Sequence, residues 1–471
     1  MHHSIEFHGA AGEVTGSHHV LDTGKARLGV DAGLHQGSRE LELLNWRGFG
    51  HDVQKLGALL LTHAHIDHCG RLPVLAGDGF RGPVYSTSAS RELAGLMLYD
   101  SARLMEEEAQ HYSHHPEQRE RSGPEGRGRE SQAGPLFTEH DVEAVLGLFR
   151  PLDYGSPFSP IEGVSARFRD AGHILGSAML ELEMPEGTLV FSGDLGRPGS
   201  PLVRDPERIP GADWLVLEST YGDREHADKA DRGQKLFSII RETVGRGGNV
   251  IIPAFTVGRT QDILYELNPY AETGRLPRIQ TFVDSPMAIS AGEIYRRHPE
   301  CFDQETLSML YRGDDPLDFP GLKLARTKDE SMKINSLREP HIVIAGNGMC
   351  TGGRVRHHLA QNLGREESTI LFVGYQAEGT LGRQLRDGAR TVNMFGKPFD
   401  VRAQIEVMDA YSAHADRSEL LAWLEGFERF PRRVFVVHGE PNASRALASS
   451  IKQRFGADVT VPGPGERFEL E

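Results

Sequence analysis

A run of metal-binding residue types directly follows an apolar segment early in the chain. The apolar segment is Leu56 to Leu61, and the next seven residues read THAHIDH, which include His63, His65, Asp67 and His68. The apolar run predicts a buried strand. Alternate residues of an extended chain point to the same side, so His63 and His65 can face one point, and Asp67 and His68 can turn toward a second. Imidazole and carboxylate suit zinc and similar ions, so the pattern predicts a metal site.

More candidate ligands lie downstream of this run. Asp194 follows the apolar stretch TLVF, and His438 follows RVFVV, so both are expected where a buried strand ends. Ligands that gather at one edge of a sheet are a usual way for α/β proteins to build a site. His173 lies in the turn AGHILGS and carries less weight alone, because a glycine-rich turn can hold a histidine for no chemical reason.

The composition limits the class of protein. A net charge of −15 argues against a general nucleic-acid binder, although a local groove and bound cations can attract phosphates to an acidic protein. No apolar run reaches the roughly 18 residues of a membrane span, and the first residues have no signal-peptide core, so no membrane association is expected. The chain has three cysteines and no CxxC, which favours a reducing compartment and a cytoplasmic location.

The rhythm of the chain changes twice. Residues 1–207 show short strands and turns, residues 208–398 repeat strand, glycine turn and helix, and residues 399–471 return to the first rhythm. The repeat predicts a parallel sheet flanked by helices. Because His438 should share a site with residues 63–68, the middle block is predicted to be an insertion. Residues 113–134 are rich in Gly, Ser, Arg and Glu without periodicity and are predicted to form a mobile surface loop.

Several turns of the middle block carry glycines and arginines. Backbone N–H groups at the start of a helix bind anions, and glycine lets a phosphate approach the backbone closely. The alternative is that these glycines only permit tight turns between strand and helix. The candidate phosphate-binding residues are Arg259, Gly348, Gly352, Gly379, Thr380 and Arg383.

Motifs along nearly the whole chain resemble one known family. They are GAAGEVTGS, THAHIDH, LEST, PAFTVGRTQ, VDSPMA, GMCTGGR, GYQAEGTLGR, SAHAD and VVHGE. They resemble metallo-β-lactamase-fold hydrolases of the β-CASP family, in the RNA-processing branch that includes the cleavage-and-polyadenylation endonuclease subunit and its bacterial and archaeal homologues. The resemblance implies an α/β fold: an αββα metallo-β-lactamase sandwich with an inserted parallel-sheet β-CASP domain. The sequence departs from some members of the family in having neither the N-terminal RNA-binding extension of some archaeal relatives nor the C-terminal domain of ribonuclease J, so affinity for substrate is expected to come from these two domains.

The resemblance implies a role for each matching position. Residues that resemble the metal ligands are His63, His65 and His173 for a first ion, Asp67, His68 and His438 for a second, and Asp194 as the bridge. Asp31 matches a supporting carboxylate behind the ligands. The catalytic set implied by the family comprises His414, Glu218, Asp67 and Asp194. A histidine at position 438 favours the RNA branch, because DNA-repair members of the family lack it.

The implied activity is metal-dependent hydrolysis of phosphodiester bonds in single-stranded RNA. Cleavage inside the strand, from the 5′ end, or both, would use a two-metal hydroxide mechanism and leave 5′-phosphate and 3′-hydroxyl ends. Two divalent ions are expected, Zn²⁺ first and Mn²⁺ as the alternative, since His/Asp sites accept both. His414 is the expected donor of a proton to the leaving oxygen, with Glu218 holding its charged form.

Three other interpretations stay open at this point. Single-stranded DNA is an alternative substrate within the same family, and a small-molecule ester or thioester hydrolase is an alternative on the same fold. A catalytically inactive scaffold is disfavoured because all seven ligand positions are filled. The expected partner is single-stranded RNA, and the sequence leaves a homodimer open.

Overall fold

The computed structural model describes residues 3–114, 134–226, 232–374, 376–377 and 379–471. The chain divides into two compact units. The first comprises Met1–Pro198, Asp205–Glu225 and His414–Glu471, and the second comprises Gly199–Arg204 and His226–Ala413. Of the segment predicted as a mobile loop, residues 113–114 end a helix and residues 115–133 lie outside the described residues.

The strands, in chain order, are β1 His3–Gly9, β2 His18–Asp22, β3 Arg27–Val30, β4 Leu56–Leu60, β5 Val84–Ser86, β6 Phe149–Pro151, β7 Ser165–Asp170, β8 Ala178–Met184, β9 Gly187–Phe191, β10 Trp214–Glu218, β11 Val250–Ala254, β12 Gln280–Asp284, β13 Leu322–Leu324, β14 His341–Gly346, β15 Thr369–Phe372, β16 Thr391–Met394, β17 Lys397–Asp400, β18 Gln404–Val407, β19 Arg433–Val437, β20 Asp458–Thr460 and β21 Arg467–Leu470.

The helices, in chain order, are α1 Arg39–Glu42, α2 Ile66–Cys69, α3 Leu72–Gly77, α4 Ser88–His114, α5 Glu139–Leu146, α6 Arg232–Gly245, α7 Arg259–Glu272, α8 Pro286–Arg297, α9 Gln304–Tyr311, α10 Lys328–Ile334, α11 Val355–Asn362, α12 Leu381–Arg386, α13 Arg417–Leu424 and α14 Pro441–Phe455. None of the helices within the described residues is both long enough and apolar enough to cross a membrane.

The first unit is a sandwich of two mixed sheets. One sheet has the strand order β21-β1-β2-β3-β4-β5-β6, and the other has the order β20-β19-β10-β9-β8-β7. Their inner faces share one buried apolar cluster, which includes Phe7 and Leu60 from the first sheet and Phe191, Trp214 and Phe435 from the second. Alternate residues of each strand supply this core because side chains alternate between the two faces of a sheet.

Helices pack on both sheets of this sandwich: α4 contacts β6 of the first sheet, and α13 and α14 cover the outer face of the second. On the second sheet, α13 and α14 bury Leu420, Leu424, Leu447 and Ile451 against the outward residues of β10 and β19. The first unit is therefore an αββα arrangement, which confirms the predicted fold class for this part of the chain. Removing such faces from water supplies most of the stability of layered folds.

The second unit is built on a parallel sheet. Its strand order is β13-β12-β14-β11-β15-β18, and each neighbouring pair is parallel. The central strands β11 and β14 are buried along their length, and helix α11 covers one face with Val355 and Leu359. A separate antiparallel hairpin joins β16 and β17. The repeat of strand, turn and helix in the sequence predicted this α/β architecture.

The bounds of the two compact units differ from those that the sequence rhythm suggested. The rhythm placed the breaks after residues 207 and 398, whereas the main exchanges lie at Glu225/His226 and at Ala413/His414, and the short segment Gly199–Arg204 already belongs to the second unit. Strand β10 explains the first difference, because it pairs in parallel with both β9 and β19 of the sandwich. Strand β18 explains the second, because it pairs with β15 of the inserted unit.

Candidate metal centre

A first group of side chains meets beyond the end of β4. His63 lies three residues after the strand, and its Nε2 is 3.1 Å from Nδ1 of His65. Nε2 of His173 is also 3.1 Å from His65 Nδ1. Together with a carboxylate oxygen of Asp194, these ligand atoms all lie within 4.8 Å of one another. The turn between β7 and β8 thus delivers His173, which the sequence marked only weakly, to this group.

A second group forms around α2. His68 lies on this short helix, and its Nε2 is 3.0 Å from Nε2 of His438, which directly follows β19. An oxygen of Asp67 is 3.5 Å from the same His438 nitrogen. We refer to the seven side chains of both groups as the candidate metal centre: His63, His65, Asp67, His68, His173, Asp194 and His438.

Asp194 lies between the two groups and faces both. Its Oδ2 is 3.3 Å from His63 Nε2 and 3.6 Å from His173 Nε2. Its Oδ1 is 3.4 Å from His68 Nε2 and 3.6 Å from His438 Nε2. The carboxylate is buried, and neither oxygen has a hydrogen-bond partner among the described residues. Burial opposes ionisation, but the surrounding imidazoles hold the pKa of Asp194 well below its ordinary value.

Asp31 and Thr62 support the histidines from behind. Nδ1 of His68 donates to Asp31 Oδ2 at 2.7 Å. The backbone N–H and the hydroxyl of Thr62 donate to Asp31 Oδ1 at 2.8 and 3.0 Å, and the same hydroxyl is 3.1 Å from His63 Nδ1. Asp31 therefore lies behind His68, and its carboxylate holds the His68 ring in one orientation. The sequence did not single out Thr62, although its position between β4 and His63 is a signal that could have identified it.

Thr220 supports the last histidine in the same way. Its hydroxyl is 3.1 Å from Nδ1 of His438, and it comes from the LEST segment just after β10. The backbone at His438 has φ of 51°, and at Asp31 it has φ of 56°. Such left-handed backbone costs of order 1–3 kcal/mol in a non-glycine residue and persists where surrounding structure imposes it. Here the N–H groups of His438 and Asp31 donate to Ala10 and Leu60 at 2.7 and 2.9 Å.

His414 and Glu218 lie beside the first group. Nδ1 of His414 is 3.2 Å from Glu218 Oε1 and 3.8 Å from Asp194 Oδ2. Glu218 is buried and also accepts from the backbone N–H of Leu195 at 2.8 Å, while the His414 side chain keeps 20% exposure. Burial disfavours the charged ring, but Glu218 and then Asp194 raise the pKa of His414 to about 9. The two carboxylates therefore favour the charged form of the His414 imidazole, which lies next to the candidate metal centre.

The chain just after His414 keeps this imidazole in position. Asp416 caps α13 by accepting from the N–H of Glu419, whose side chain in turn accepts from the Asp416 N–H. Ala415 donates to the carbonyl of Leu195 at 2.8 Å. His414 is thus held between a capped helix and the loop that carries Asp194.

The candidate phosphate-binding residues all lie in the second unit. Arg259 begins α7, is only 8% exposed, and donates to Asp262 at 2.9 Å. Arg383 has a side chain that is 40% exposed and pairs with Asp387 at 2.8 Å. Thr380 caps α12 by accepting from the N–H of Arg383. Both arginines therefore already have acidic neighbours, which the sequence analysis did not foresee.

The glycines of these turns have different structural reasons. A Cβ at Gly348 would stand 3.2 Å from the ring of Phe255, so this glycine makes room for an aromatic side chain. A Cβ at Gly352 would meet Asn347 at 3.5 Å, which is ordinary contact. Gly379 has φ of 82° with open space around it, so its conformation and not its packing requires glycine. For Gly348, packing against Phe255 is therefore a sufficient reason for glycine, without a role in binding phosphate.

Comparison with known proteins places this geometry in a family. The chain matches the metallo-β-lactamase superfamily over residues 16–151 and the β-CASP domain over residues 260–385. It also matches the Zn-dependent metallo-hydrolase RNA specificity domain over residues 398–462. The candidate metal centre draws on the first of these regions, on the stretch that follows it, and on the last.

Individual proteins give the same result. The chain is 37% identical to ribonuclease TTHA0252 of Thermus thermophilus, over 97% of this chain and 98% of that protein. It is 29% identical to the transcription termination factor FttA of Methanocaldococcus jannaschii, over 97% of this chain and 70% of that protein. A solved structure of a protein of unknown function from Enterococcus faecalis V583 has a TM-score of 0.56 at 12% identity, covers all of both chains, and supports the fold alone. The chain belongs to the β-CASP family of metallo-β-lactamase-fold ribonucleases.

Proposed function

We propose that the protein hydrolyses phosphodiester bonds of single-stranded RNA and leaves 5′-phosphate and 3′-hydroxyl ends. The observation that carries the proposal is the position of Asp194, whose two buried oxygens each face a different group of histidines at 3.3 to 3.6 Å. A carboxylate placed in this way suits a pair of cations that share it. Two-cation sites are a recurrent solution for phosphodiester hydrolysis.

The residues fit a metal pair on their own chemistry. The oxygens of Asp194 are buried without a hydrogen bond, and imidazole nitrogens converge at 3.0 to 3.1 Å in each group. Such polar atoms are costly to bury unless a cation completes them. One ion would be held by His63, His65 and His173, the other by Asp67, His68 and His438, with Asp194 shared. Zn²⁺ is the first choice and Mn²⁺ the second. When bound, such ions supply Lewis-acid activation of water and of the phosphate.

His414 supplies the proton that the leaving 3′-oxygen needs. Its Nδ1 is held by Glu218 at 3.2 Å, so we assign the donated proton to Nε2. Glu218 keeps the ring charged before the reaction and fixes its orientation. Asp194 stays ionised because the imidazoles around it lower its pKa, so it does not compete for this proton. A positioned acid of this kind contributes roughly 10²–10⁴ to the rate.

A separate feature of the second unit supports single-stranded RNA as the substrate. Phe255 directly follows β11 and is 38% exposed, although it packs on Gly348 and Gly374. A Cβ at either glycine would approach its ring to 3.1–3.2 Å, so the two glycines let the ring lie close to the backbone. Exposed aromatic rings stack on unpaired bases, and this mode of contact requires a single strand.

Phosphate contacts in this unit are part of the same proposal. We assign them to Arg383, Thr380 and Gly379 first, because Arg383 remains 40% exposed beside its acidic neighbour. Arg259, Gly348 and Gly352 are a second set of proposed phosphate contacts. Arg259 is less exposed than Arg383, and the two glycines have neighbouring side chains close by. The three cysteines are free and buried, which supports a cytoplasmic location for the activity.

The test is digestion of one single-stranded RNA labelled either at its 5′ or at its 3′ end. Comparison of the two product ladders shows whether cleavage is internal or proceeds from one end, and from which end. Enzymatic analysis of the products shows whether the new ends carry a phosphate or a hydroxyl group. The proposal expects 5′-phosphate products and no hydrolysis after chelation. Products with 2′,3′-cyclic phosphates would contradict it, because they arise without an external water.

Two further substrates separate the alternatives. Single-stranded DNA of the same sequence tests the alternative substrate. If the protein hydrolyses this DNA faster than the RNA, DNA becomes the proposed substrate. A small thioester tests a general hydrolase on this fold. Rates on the thioester that exceed those on RNA would move the function away from nucleic acid.

A further inference from the structure

The hairpin of β16 and β17 in the second unit carries an aromatic side chain at its tip. Met394 pairs with Lys397, so the loop consists of the two residues Phe395 and Gly396. The φ angle is 51° at Phe395 and 73° at Gly396. Two left-handed residues in such a loop are typical of a type I′ turn, in which asparagine, aspartate or glycine usually comes first. A bulky side chain in this conformation is an outlier, so the turn itself does not favour phenylalanine.

Packing into the core does not explain Phe395 either. The buried residues Val392 and Met394 of β16 anchor the hairpin in the apolar cluster of the second unit. The Phe395 side chain lies outside that cluster and is 48% exposed. A strained residue that neither the turn nor the core requires is a reason to look for a function, because backbone outliers of this kind concentrate at functional sites.

Two consecutive side chains of α11 contact the Phe395 ring. The His357 ring stacks on it, with centroids 4.9 Å apart and an angle of 25° between the two planes. The guanidinium carbon of Arg356 lies 4.8 Å from the centroid of the same ring, a distance at which a cation is attracted to an aromatic face. His357 is itself exposed. We refer to Arg356, His357 and Phe395 as the aromatic platform, because they present two stacked rings and a guanidinium at the surface.

The chain around the aromatic platform is basic, in contrast to the chain as a whole. Residues 351–403 contain eight Lys and Arg and five Asp and Glu, whereas the entire sequence contains 52 and 67. Arg390 and Lys397 are exposed, and Nε of Arg356 has no hydrogen-bond partner among the described residues. Local positive charge attracts the phosphates of a nucleic acid even to a protein whose net charge is negative.

The aromatic platform adjoins the residues that we propose to contact phosphates. Arg356 lies in the first turn of α11, and the turn that contains Gly352 directly precedes this helix. Helix α12, which carries Arg383, packs against β16 of the hairpin. A strand of nucleotides that contacts Gly352 or Arg383 can therefore continue onto the platform within the same unit.

We propose that the aromatic platform binds one nucleotide of single-stranded RNA, next to the proposed phosphate contacts and away from the reacting bond. An unpaired base stacks on the exposed side of the Phe395 and His357 pair, and a flanking phosphate contacts Arg356 and Lys397. Stacking on a ring accepts every base, so the platform adds affinity without sequence preference. This inference rests on the proposed function and names a further contact of the same substrate.

The experiment measures by fluorescence anisotropy how tightly the purified protein binds a labelled single-stranded RNA with phosphorothioate linkages, which slow hydrolysis. Phe395→Asn removes the ring, while asparagine suits the left-handed backbone of the turn. We expect this variant to bind the RNA roughly 5- to 150-fold more weakly, which corresponds to about 1–3 kcal/mol for one base stacked on an aromatic ring. Phe395→Tyr keeps a ring and should bind like the wild type. The matched control is Tyr311→Asn, which removes an 87% exposed ring of the same unit and should not weaken binding.

Three results would overturn the proposal. The first is unchanged RNA binding by folded Phe395→Asn, with folding checked by thermal unfolding. If that variant does not fold, Lys397→Glu takes its place, because a negative charge beside the platform should also weaken binding. The second is an equal loss of binding to an RNA duplex, because a paired base cannot stack on the platform. The third is a wild-type dimer that Phe395→Asn converts to a monomer in light scattering, because the platform would then be an interface between two copies of the chain.

Failure of this proposal and failure of the proposed function give different results. Digestion of end-labelled RNA by the wild type tests the function, whereas the binding comparison tests the platform. If Phe395→Asn weakens binding but the wild type hydrolyses no RNA, the platform is supported and the proposed function is wrong. If the wild type hydrolyses RNA and Phe395→Asn binds it unchanged, the proposed function stands and the platform is wrong.

Discussion

The two late histidines, His414 and His438, lie near each other but differ in their contacts, and this difference gives a quantitative prediction. His438 Nε2 is 3.0 Å from Nε2 of His68 and 3.6 Å from Asp194 Oδ1, whereas His414 Nδ1 is held by Glu218. We expect His438→Ala to hold about one metal ion fewer than the wild type and to lose activity as a consequence. We expect His414→Ala to keep its metal and to bind RNA normally.

The size of the effect at His414 follows from its role as an acid. Glu218 and then Asp194 raise the pKa of His414 to about 9, so these carboxylates favour the charged ring that can donate a proton. Turnover on RNA by His414→Ala should fall by roughly 10²–10⁴, or about 2.7–5.4 kcal/mol of activation free energy. The loss should be much smaller on bis-p-nitrophenyl phosphate, because p-nitrophenolate leaves without a proton.

The assay combines metal analysis with single-turnover rates on the two substrates, and Glu218→Gln is the matched variant. Glu218→Gln retains a hydrogen-bond acceptor but lacks the charge that raises the pKa of His414, so its rate on RNA should decline above neutral pH sooner than that of the wild type. Equal losses on RNA and on the activated diester would refute the role of His414 as an acid. Loss of a metal ion from His414→Ala, with retention in His438→Ala, would show that the two roles are reversed.

The remaining predictions concern residues that act through neighbours. Asp31→Asn should weaken metal binding by roughly 10–100-fold, measured by competition with a chromogenic chelator, because it removes the carboxylate behind a ligand. Phe255→Ala should weaken RNA binding by about 1–3 kcal/mol and leave diester hydrolysis unchanged, whereas Tyr311→Ala, at an 87% exposed site, should change neither. Asp284→Asn should lower unfolding stability by about 3–5 kcal/mol, because this buried carboxylate pairs with His358 at 2.6 Å. Burial opposes the ionisation of Asp284, but its hydrogen bonds lower the pKa of this carboxyl below its ordinary value. The stabilisation by Asp284 is therefore fully present above the ordinary carboxyl pKa and is lost as the pH falls through the pKa of the folded protein. Measuring the free energy of unfolding as a function of pH in the acid range checks this.

The sequence by itself determined the ligand run, the alternation of the inserted unit and the family. These features are local. An apolar strand followed by His63, His65, Asp67 and His68 can be recognised within about a dozen residues, and the apolar run before His438 likewise predicts a strand that ends at a histidine. Function resides in such sites, and their residue types are fixed by the chemistry of the ions they suit.

Only the tertiary structure decided which residues support and join these ligands. Thr62 and Thr220 are ordinary residues in the sequence, and their role depends on distances of 3.1 Å to rings that the fold brings to them. The bounds of the two units depend on the partners of β10 and β18, which lie far away in the chain. Such long-range pairings are set by packing between distant segments, and no local pattern records them.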